Sequence, residues 1–537
     1  MTDPTKNELR YEDLKLGEKA LEVYRATLRK DYNFIQSRYG EEARKVAEQG
    51  VDSIRKWNME NLPTFLNRKE VYKTRDGTTL TTTDLVIAQV LGGVNGFLMS
   101  DAGSGKSQLI TDIANAYFDG DLRNSGKSII QTANNDFRIA TIMERRNPDK
   151  PAELELTGAH EACFIGIDEL TRAHPLVANE FSDLGNGVYH RGGFNVRLGK
   201  NGYFLTIATG NDPRKKENRG TMDWDGAMLN RFPVALDLAS DRFGIAGTED
   251  DSLKTKIKPA TTSVLSCKPQ DLTDRIVQAY HQISGSSSDL GSEAEAVFYF
   301  LSQGANVCPG KNGDKNLVMR KKSLLPQWPK ICVDCTKANN ANGESALCSL
   351  VNTENGRTMT NARRYASALD YLLRLKAKGE GRELDYNPKD LAFLSFELCG
   401  GLQEGVLNSG VLGTKYYSCN ERMMSEVVAG LKDEFDKQGD VFIAELEAVK
   451  QLGGDYSIIR QKQGEPLMVV PKIPTGAISY AESVKQKQKK KFVEGTVVLP
   501  NELEIVALDQ DVSEVIPWKF APKIIQQQIT EKEEGIK

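Results

Sequence analysis

Short apolar runs alternate with amphipathic segments in the first half of the chain, and this pattern predicts a parallel α/β sheet. The run ACFIGIDEL has almost no polar alternation, as is typical of a strand that is covered on both faces. Segment 107–118 instead places its apolar residues at helical spacing. The predicted strands lie within residues 96–99, 127–133, 162–170, 202–211 and 232–238.

The remaining segments have different patterns. Residues 1 to about 60 carry charged, periodic sequence that predicts helices. Residues 260–350 show little periodicity and are rich in Gly, Pro, Lys and Cys, which indicates an insertion. Helical periodicity returns at 359–379 and 387–402. The sequence near 496–508 is typical of strands.

Composition excludes some classes of protein. The chain has 537 residues, 70 basic and 74 acidic, and its net charge of −4 gives no general attraction to nucleic acid or to anionic membranes. No apolar run approaches the length of a membrane span, and the charged N-terminus lacks the apolar core of a signal peptide. These features predict a soluble, cytoplasmic protein.

The stretch FLMSDAGSGKSQLI places glycines between a predicted strand and a predicted helix. A phosphate loop of the form G-x-x-x-x-G-K-[ST] directs backbone N–H groups at an anion, while its lysine reaches the terminal phosphates and its hydroxyl holds Mg²⁺. Ser100 occupies the place of the first glycine, and a Gly/Ser turn with a surface lysine is the alternative interpretation. The candidate nucleotide-binding residues are Asp101, Ala102, Gly103, Ser104, Gly105, Lys106, Ser107 and Gln108.

Polar residues that follow three other apolar runs supply candidate catalytic groups. Asp168 would face the Mg²⁺ held by Ser107, and Glu169 would polarise an attacking water, although acidic pairs are also common at strand ends. Asn211 could reach a γ-phosphate or could be an ordinary turn residue. Arg231 could stabilise charge on a transferring phosphoryl group or could be a surface cation.

In this order, the phosphate loop, IDELTRAHP, ATGNDP and LNRF resemble an AAA+ ATPase. They are most similar to the MoxR group, in which an Arg-Ala pair, here Arg172-Ala173, follows the second acidic motif. The resemblance covers about 96–240 and a helical lid near 357–405. The chain departs from the family at Ser100, in lacking Ser-Pro before the lid arginine, and in the long segment between core and lid.

The resemblance implies a role for each candidate residue. It implies that Lys106 and Ser107 bind ATP and Mg²⁺, that Asp168 supports the metal and that Glu169 activates water. By the same resemblance Asn211 is the first sensor, and Arg231 is an arginine finger that acts on the nucleotide of a neighbouring subunit in a ring, usually of six. Arg363 fits the second sensor best, with Arg357 and Arg364 as alternatives.

The expected fold class is therefore α/β, with an AAA+ P-loop NTPase core (a parallel sheet between helices), a helical lid, a cysteine-containing insertion and a mixed C-terminal region. The resemblance implies an ATP-hydrolysing, chaperone-type motor that acts on a protein client, often with a partner bearing a metal-dependent adhesion domain. The alternatives are a nucleic-acid-dependent motor or restriction-type NTPase, and a nucleotide switch that barely hydrolyses. The expected domains are 1–75 (helical), 76–258 (core), 259–352 (insertion), 353–410 (lid) and 411–537 (α+β).

The predicted insertion contains a C-x-x-C pair flanked by two more cysteines. Four thiolates at this spacing can hold zinc, a 4Fe-4S cluster is an alternative, and unpaired thiols are a third interpretation. Cys163 and Cys399 lie in a predicted strand and a predicted helix, where a small buried residue is ordinary. The lysine run 485–491 could contact nucleic acid phosphates or form a solvated loop. The candidate metal ligands are Cys308, Cys332, Cys335 and Cys348.

Overall fold

The computed structural model describes most of the chain between residues 8 and 436, and short strands beyond. The chain divides into two units, one formed by Met1–Leu290 with Asn355–Ser425 and the other by Gly291–Glu354 with Glu426–Lys537. The described residues are 8–100, 105–133, 139–150, 153–173, 184–191, 193–211, 231–240, 242–244, 266–285, 290–306, 356–400, 406–407, 409–417, 419–433, 435–436, 456–460, 468–471, 497–499 and 503–505.

The two units together contain the following helices and strands. The helices are α1 Tyr11–Leu14, α2 Gly17–Leu28, α3 Tyr32–Glu48, α4 Val51–Asn61, α5 Thr82–Gly92, α6 Lys106–Tyr117, α7 Ala140–Met143, α8 Thr273–Ser284, α9 Ser292–Asn306, α10 Gly356–Gly379, α11 Pro388–Gly400 and α12 Ser409–Lys415, and residues 420–433 are also helical. The strands are β1 Glu70–Lys73, β2 Thr79–Thr81, β3 Gly96–Met99, β4 Ser128–Thr132, β5 Glu144–Arg146, β6 Leu154–Leu156, β7 Phe164–Asp168, β8 Val188–Arg191, β9 Phe194–Arg197, β10 Leu205–Gly210, β11 Val234–Asp237, β12 Tyr456–Arg460, β13 Met468–Pro471, β14 Val497–Leu499 and β15 Leu503–Ile505.

The main sheet has five strands in the order β11-β3-β10-β7-β4. All its strand pairs are parallel, and Met99 at the end of β3 pairs with Gly210 on one side and with Asp237 on the other. Each of the five predicted apolar runs contains one of these strands, so the strand predictions are confirmed. Both β3 and β10 are buried along their whole length, which explains why their sequences show no polar alternation.

Helices flank the sheet. Helix α6 packs against β4, β7 and β10, and α11 packs against β11. Helix α10 packs against both α11 and α5, which confirms the helical periodicity seen at 359–379 and 387–402. A parallel sheet covered by helices, with a glycine-rich sequence between β3 and α6, fits the α/β P-loop NTPase core that the sequence predicts.

Two helices, α8 and α9, lie within residues 260–350, where the sequence shows little periodicity. Helix α8 buries Ile276, Val277 and Ile283 and packs against α5 in the same unit as the sheet, whereas α9 belongs to the second unit. The apolar stripe of α8 is short, and the Gly, Pro, Lys and Cys content of the following segment dominates the composition of the region. The hairpin of β14 and β15 agrees with the strand pattern near 496–508.

The N-terminal residues form helices as predicted, and α2, α3 and α4 pack against one another. Their shared core includes Val23, Ile35 and Ile54, all fully buried. Helix α3 contains a break at Gly40, whose φ of 92° is favourable only for glycine. In the part of the chain that the structure describes, no helix is long and apolar enough to span a membrane.

A buried polar cluster joins α1, α5 and α10. The carboxylate of Asp84 is fully buried and accepts hydrogen bonds from Tyr11 (Oη to Oδ1, 2.9 Å) and from the backbone N–H of Thr81 (2.8 Å). The Nζ atom of Lys376, itself buried, lies 2.6 Å from Asp84 Oδ2. The ion pair between Lys376 and Asp84 therefore ties helix α10 to α5 and, through the Tyr11 hydroxyl, to the N-terminal region.

The carboxyl group of Glu18 in α2 predicts a pH dependence of stability. Burial, and after it the negative charge of Asp84, raises the pKa of Glu18 to about 7 from its usual 4.5. The folded chain therefore holds a proton that the unfolded chain has released, so the contribution to stability is lost as pH rises from about 4.5 through about 7. As pH rises from 5 to 8, the free energy of unfolding of Glu18→Gln should therefore increase by about 2 kcal/mol relative to that of the native chain.

Urea unfolding of both proteins at pH 5 and pH 8 measures this difference directly. Glu42→Gln, on the exposed surface of α3, is the control and should follow the native pH dependence. Parallel pH profiles for Glu18→Gln and the native chain would contradict the assignment.

Candidate functional site

The carboxyl ends of β3, β10 and β7 bring the predicted site residues to one edge of the sheet. Ser100 follows β3, Asn211 follows β10, and Asp168 is the last residue of β7. These strands are adjacent and parallel in the sheet, so their carboxyl ends meet. In parallel α/β sheets this edge is where ligands usually bind.

Lys106 is the first residue of α6 and points back towards the end of β3. Its Nζ atom donates to the backbone oxygen of Ser100 at 2.8 Å and to Asn211 Oδ1 at 3.2 Å. The residue before it, Gly105, caps the helix in the left-handed region with φ of 87°, which glycine adopts without strain. The structure thus joins the loop lysine to the predicted sensor asparagine, with Lys106 only 8% exposed.

Two threonines that sequence reasoning missed connect the remaining polar groups. Thr209 donates from Oγ1 to Asp168 Oδ1 at 2.6 Å and accepts from the backbone N–H of Glu169 at 3.1 Å. Thr171 accepts from the backbone N–H of Asn211 at 3.2 Å. The signal for Thr209 is a polar residue in a fully buried strand, two positions before Asn211.

The backbone of Glu169 is strained. Its φ of 56° and ψ of 36° lie in the left-handed region, which costs a non-glycine residue about 1–3 kcal/mol and is concentrated at functional sites. The Glu169 carboxylate lies 3.0 Å from the guanidinium of Arg172 and is 37% exposed. A carboxylate in this position is accessible to water while its neighbour Asp168 is bonded within the site.

The other loop residues are only partly described. Ser107 lies half-buried in the first turn of α6, at the same edge as Lys106. The side chain of Gln108 is buried and donates to Asp112 Oδ1 at 2.8 Å. If Gln108 contacts a phosphate, it would therefore do so through its backbone N–H. The predicted ligands that lie outside the described residues are Asp101, Ala102, Gly103 and Ser104.

Arg231 lies at the opposite edge of the sheet. Its backbone oxygen accepts from Asn95 Nδ2 at 3.1 Å, and Asn95 precedes β3 just as Arg231 precedes β11. The same amide nitrogen donates to Gly185 at 2.7 Å. The four residues of β3 separate this edge from the carboxyl edge by about 13 Å. The structure therefore does not bring Arg231 to the group formed by Lys106 and Asp168.

A cavity of about 780 Å³ opens at this amino edge, between the strand ends, α8 and the start of α10. Its lining includes Arg231, Arg197 and Arg364, and the Arg364 guanidinium lies 5.9 Å from the centre of the Tyr280 ring. Among the described residues that line it there is no carboxylate. The charge and the volume of the cavity suit an anionic group.

The structure places the candidates for the second sensor in different surroundings. Arg364 contributes to the cavity that contains Arg231, whereas Arg363 is exposed on α10. The side chain of Arg357 lies outside the described residues.

The four cysteines predicted as metal ligands, Cys308, Cys332, Cys335 and Cys348, lie outside the described residues, as does the lysine run 485–491. Within the described ranges, no group of three or more His, Cys, Asp or Glu residues is arranged to hold a metal ion. Cys163 and Cys399 are buried, as predicted. Burial raises the pKa of the Cys163 thiol to about 11, so it remains protonated at neutral pH.

Comparisons with known proteins give little beyond this geometry. No family model matches the chain, and no curated protein matches it. Among solved structures 287 chains are similar. One is the crystal structure of a candidate ATPase from Cytophaga hutchinsonii, with 14% identity and a TM-score of 0.40 over 64% of this chain and 87% of that chain. The assignment of the site therefore depends on its own residues.

Proposed function

We propose that the protein binds Mg·ATP at the carboxyl edge of its sheet and hydrolyses it as an AAA+ ATPase of the MoxR type. The observation that carries the proposal is the contact of Lys106 Nζ with Asn211 Oδ1, beside the pair formed by Thr209 and Asp168. A cation, an amide and a carboxylate at a helix N-terminus are the groups that phosphoryl transfer requires.

The residues at this edge fit a magnesium ion. Mg²⁺ prefers oxygen ligands such as the Ser107 hydroxyl and the Asp168 carboxylate. Thr209 donates to Oδ1 of Asp168, which fixes the orientation of the carboxylate that would hold the ion. When bound, the ion would neutralise charge on the phosphates.

The protein side chains would then act on the terminal phosphate and on water. Lys106 would bind the terminal phosphate, and Asn211 would orient the attacking water. Glu169 lies beside Asp168 and is exposed to water, and its carboxylate would accept a proton from the attacking water. The positions of these residues at the carboxyl edge support the roles that the family resemblance implies.

The position of Arg231 supports an assembly of several subunits. An arginine finger must approach the γ-phosphate, and the Arg231 backbone lies at the amino edge, about a strand length from the carboxyl edge where Lys106 of its own chain lies. We therefore assign Arg231 to the nucleotide of a neighbouring copy, in a ring that the family resemblance suggests is hexameric. Arg364 shares the amino-edge cavity with Arg231 and is therefore also distant from the carboxyl edge of its own chain, so Arg363 remains the proposed second sensor.

The client is proposed from the resemblance alone. A MoxR-type ring would use ATP hydrolysis to remodel a protein partner, with the lid helices α10 and α11 moving against the core. A nucleic-acid motor is the second candidate, because the insertion that carries the four cysteines and the lysine run 485–491 could contact DNA.

ATP turnover of the purified protein, with and without DNA or RNA, tests these alternatives. We expect Mg²⁺-dependent turnover that nucleic acid changes by less than about twofold, because the described site contains only groups for the nucleotide. Stimulation of about tenfold or more by DNA or RNA would favour the nucleic-acid motor. Binding of ATP without turnover would indicate a nucleotide switch.

A further inference from the structure

An irregular segment next to the proposed nucleotide site is buried over most of its length. Residues 62–69 connect α4 to the strand β1 without helix or strand, and residues 62–67 are all buried. Irregular segments usually lie at the surface, because their backbone polar groups need partners. The partners of this segment show what it does.

Asp112 of α6 supplies two of these partners. Its Oδ2 atom accepts from the backbone N–H groups of Thr64 (2.9 Å) and Phe65 (2.5 Å), and its Oδ1 atom accepts from Gln108 (2.8 Å). Asp112 is only 1% exposed, so these bonds form away from water. A carboxylate that accepts backbone N–H groups makes strong, charge-assisted bonds. The segment is therefore fixed to the helix that begins with Lys106.

Phe65 links this anchor to the end of the phosphate loop. A Cβ atom added at Gly105 would lie 3.6 Å from Cδ2 of the Phe65 ring, so the ring packs beside the glycine that precedes Lys106. The backbone oxygen of Phe65 accepts from Gly17 at the start of α2 at 2.7 Å. One residue thus contacts the N-terminal helices, α6 through Asp112, and the residue that begins α6.

We infer that Asp112 and Phe65 are positioning residues for the nucleotide site. Asp112 holds the backbone of Thr64 and Phe65, and the Phe65 ring fixes Gly105 and so the direction of Lys106. Through Gly17, the same contact connects the N-terminal helices to the nucleotide-binding residues. This inference rests on the proposed function, but the link between residues 62–67 and α6 can be measured without a nucleotide.

Asp112→Leu and Asp112→Asn test the role of the carboxylate. Leucine removes both acceptors, whereas asparagine keeps an oxygen for the two N–H groups and can donate to Gln108 once the Gln108 amide turns over. We expect Asp112→Leu to weaken the affinity for Mg·ATP by about tenfold or more and Asp112→Asn to stay within about threefold of the native chain.

Thr83→Val is the matched control. The Thr83 hydroxyl accepts from the backbone N–H of Asn67 and donates to its oxygen, both at 2.9 Å, so this variant loosens the same segment two residues away from Phe65. It should lose stability but keep its affinity for Mg·ATP. Phe65→Leu, which keeps the backbone bonds to Asp112 and removes the ring, should weaken the affinity by about threefold to tenfold even if Asp112→Leu does not fold.

Hydrogen exchange separates this inference from the proposed function. The backbone N–H of Leu109 donates to Gly105 at 2.9 Å and so reports the first turn of α6. Faster exchange at 105–112 in Asp112→Leu, but not in Thr83→Val, supports the link even if the native chain binds no Mg·ATP, a result that would reject the proposed function alone. Native exchange at 105–112 in Asp112→Leu and Phe65→Leu, or equal loss of affinity in Thr83→Val and Asp112→Leu, would overturn the inference.

Discussion

Replacing Glu169 by glutamine should lower ATP turnover by about 10²–10³-fold and leave the affinity for Mg·ATP within about threefold, because the amide cannot accept a proton from the attacking water. The substitution retains the size of the side chain, and the strained backbone at this position is set by neighbouring contacts, including the bond from Glu169 N–H to Thr209. Single-turnover hydrolysis and equilibrium binding measure the two quantities separately.

Glu161→Gln is the matched control for this substitution. Glu161 is an exposed carboxylate that precedes β7, at the far end of the strand from Glu169. The turnover of Glu161→Gln should equal that of the native chain. If Glu169→Gln retains full turnover, the assignment of Glu169 as the base is wrong.

Replacing Arg231 by alanine should lower turnover by about 10³-fold, since an arginine finger contributes about that much or more to phosphoryl transfer. The affinity for Mg·ATP should change little, because Arg231 lies at the amino edge while the residues proposed to bind the phosphates lie at the carboxyl edge. Steady-state kinetics should show the loss in kcat and not in KM.

Arg145→Ala removes an exposed arginine from β5, where Arg145 pairs with Glu155 at 2.5 Å, and serves as the control. Its kinetics should match those of the native chain. An Arg231→Ala variant with native kcat and raised KM would mean that Arg231 only binds nucleotide, and the finger role would be rejected.

The sheet and the turn into α6 could be predicted from sequence because their signals are local. Strands β3 and β10 are buried along their whole length and appear as unbroken apolar runs, and Gly105 before Lys106 adopts a positive φ that favours glycine. The predicted start of α6, at Ser107, differs from the observed start by one residue.

Contacts between distant residues could not be predicted. Thr209 of β10 donates a hydrogen bond to Asp168 of the adjacent strand β7, and Asp84 pairs with Lys376, which is 292 positions away in the sequence. Arg363 and Arg364 are neighbours in sequence, and the sequence does not show that Arg364 packs on Tyr280. The anchor of Phe65 on Asp112 was missed because the segment that contains Phe65 has no periodicity.

The central claim is that each catalytic site is completed by a neighbouring copy, and a mixing experiment tests it most directly. Lys106→Ala and Arg231→Ala should each be inactive alone. In a mixed ring, an Arg231→Ala subunit binds ATP and an adjacent Lys106→Ala subunit supplies Arg231. If subunits exchange at random, about a quarter of the sites should become active. Recovery of turnover towards that level is the predicted result, and a mixture no more active than the separate variants would contradict the account.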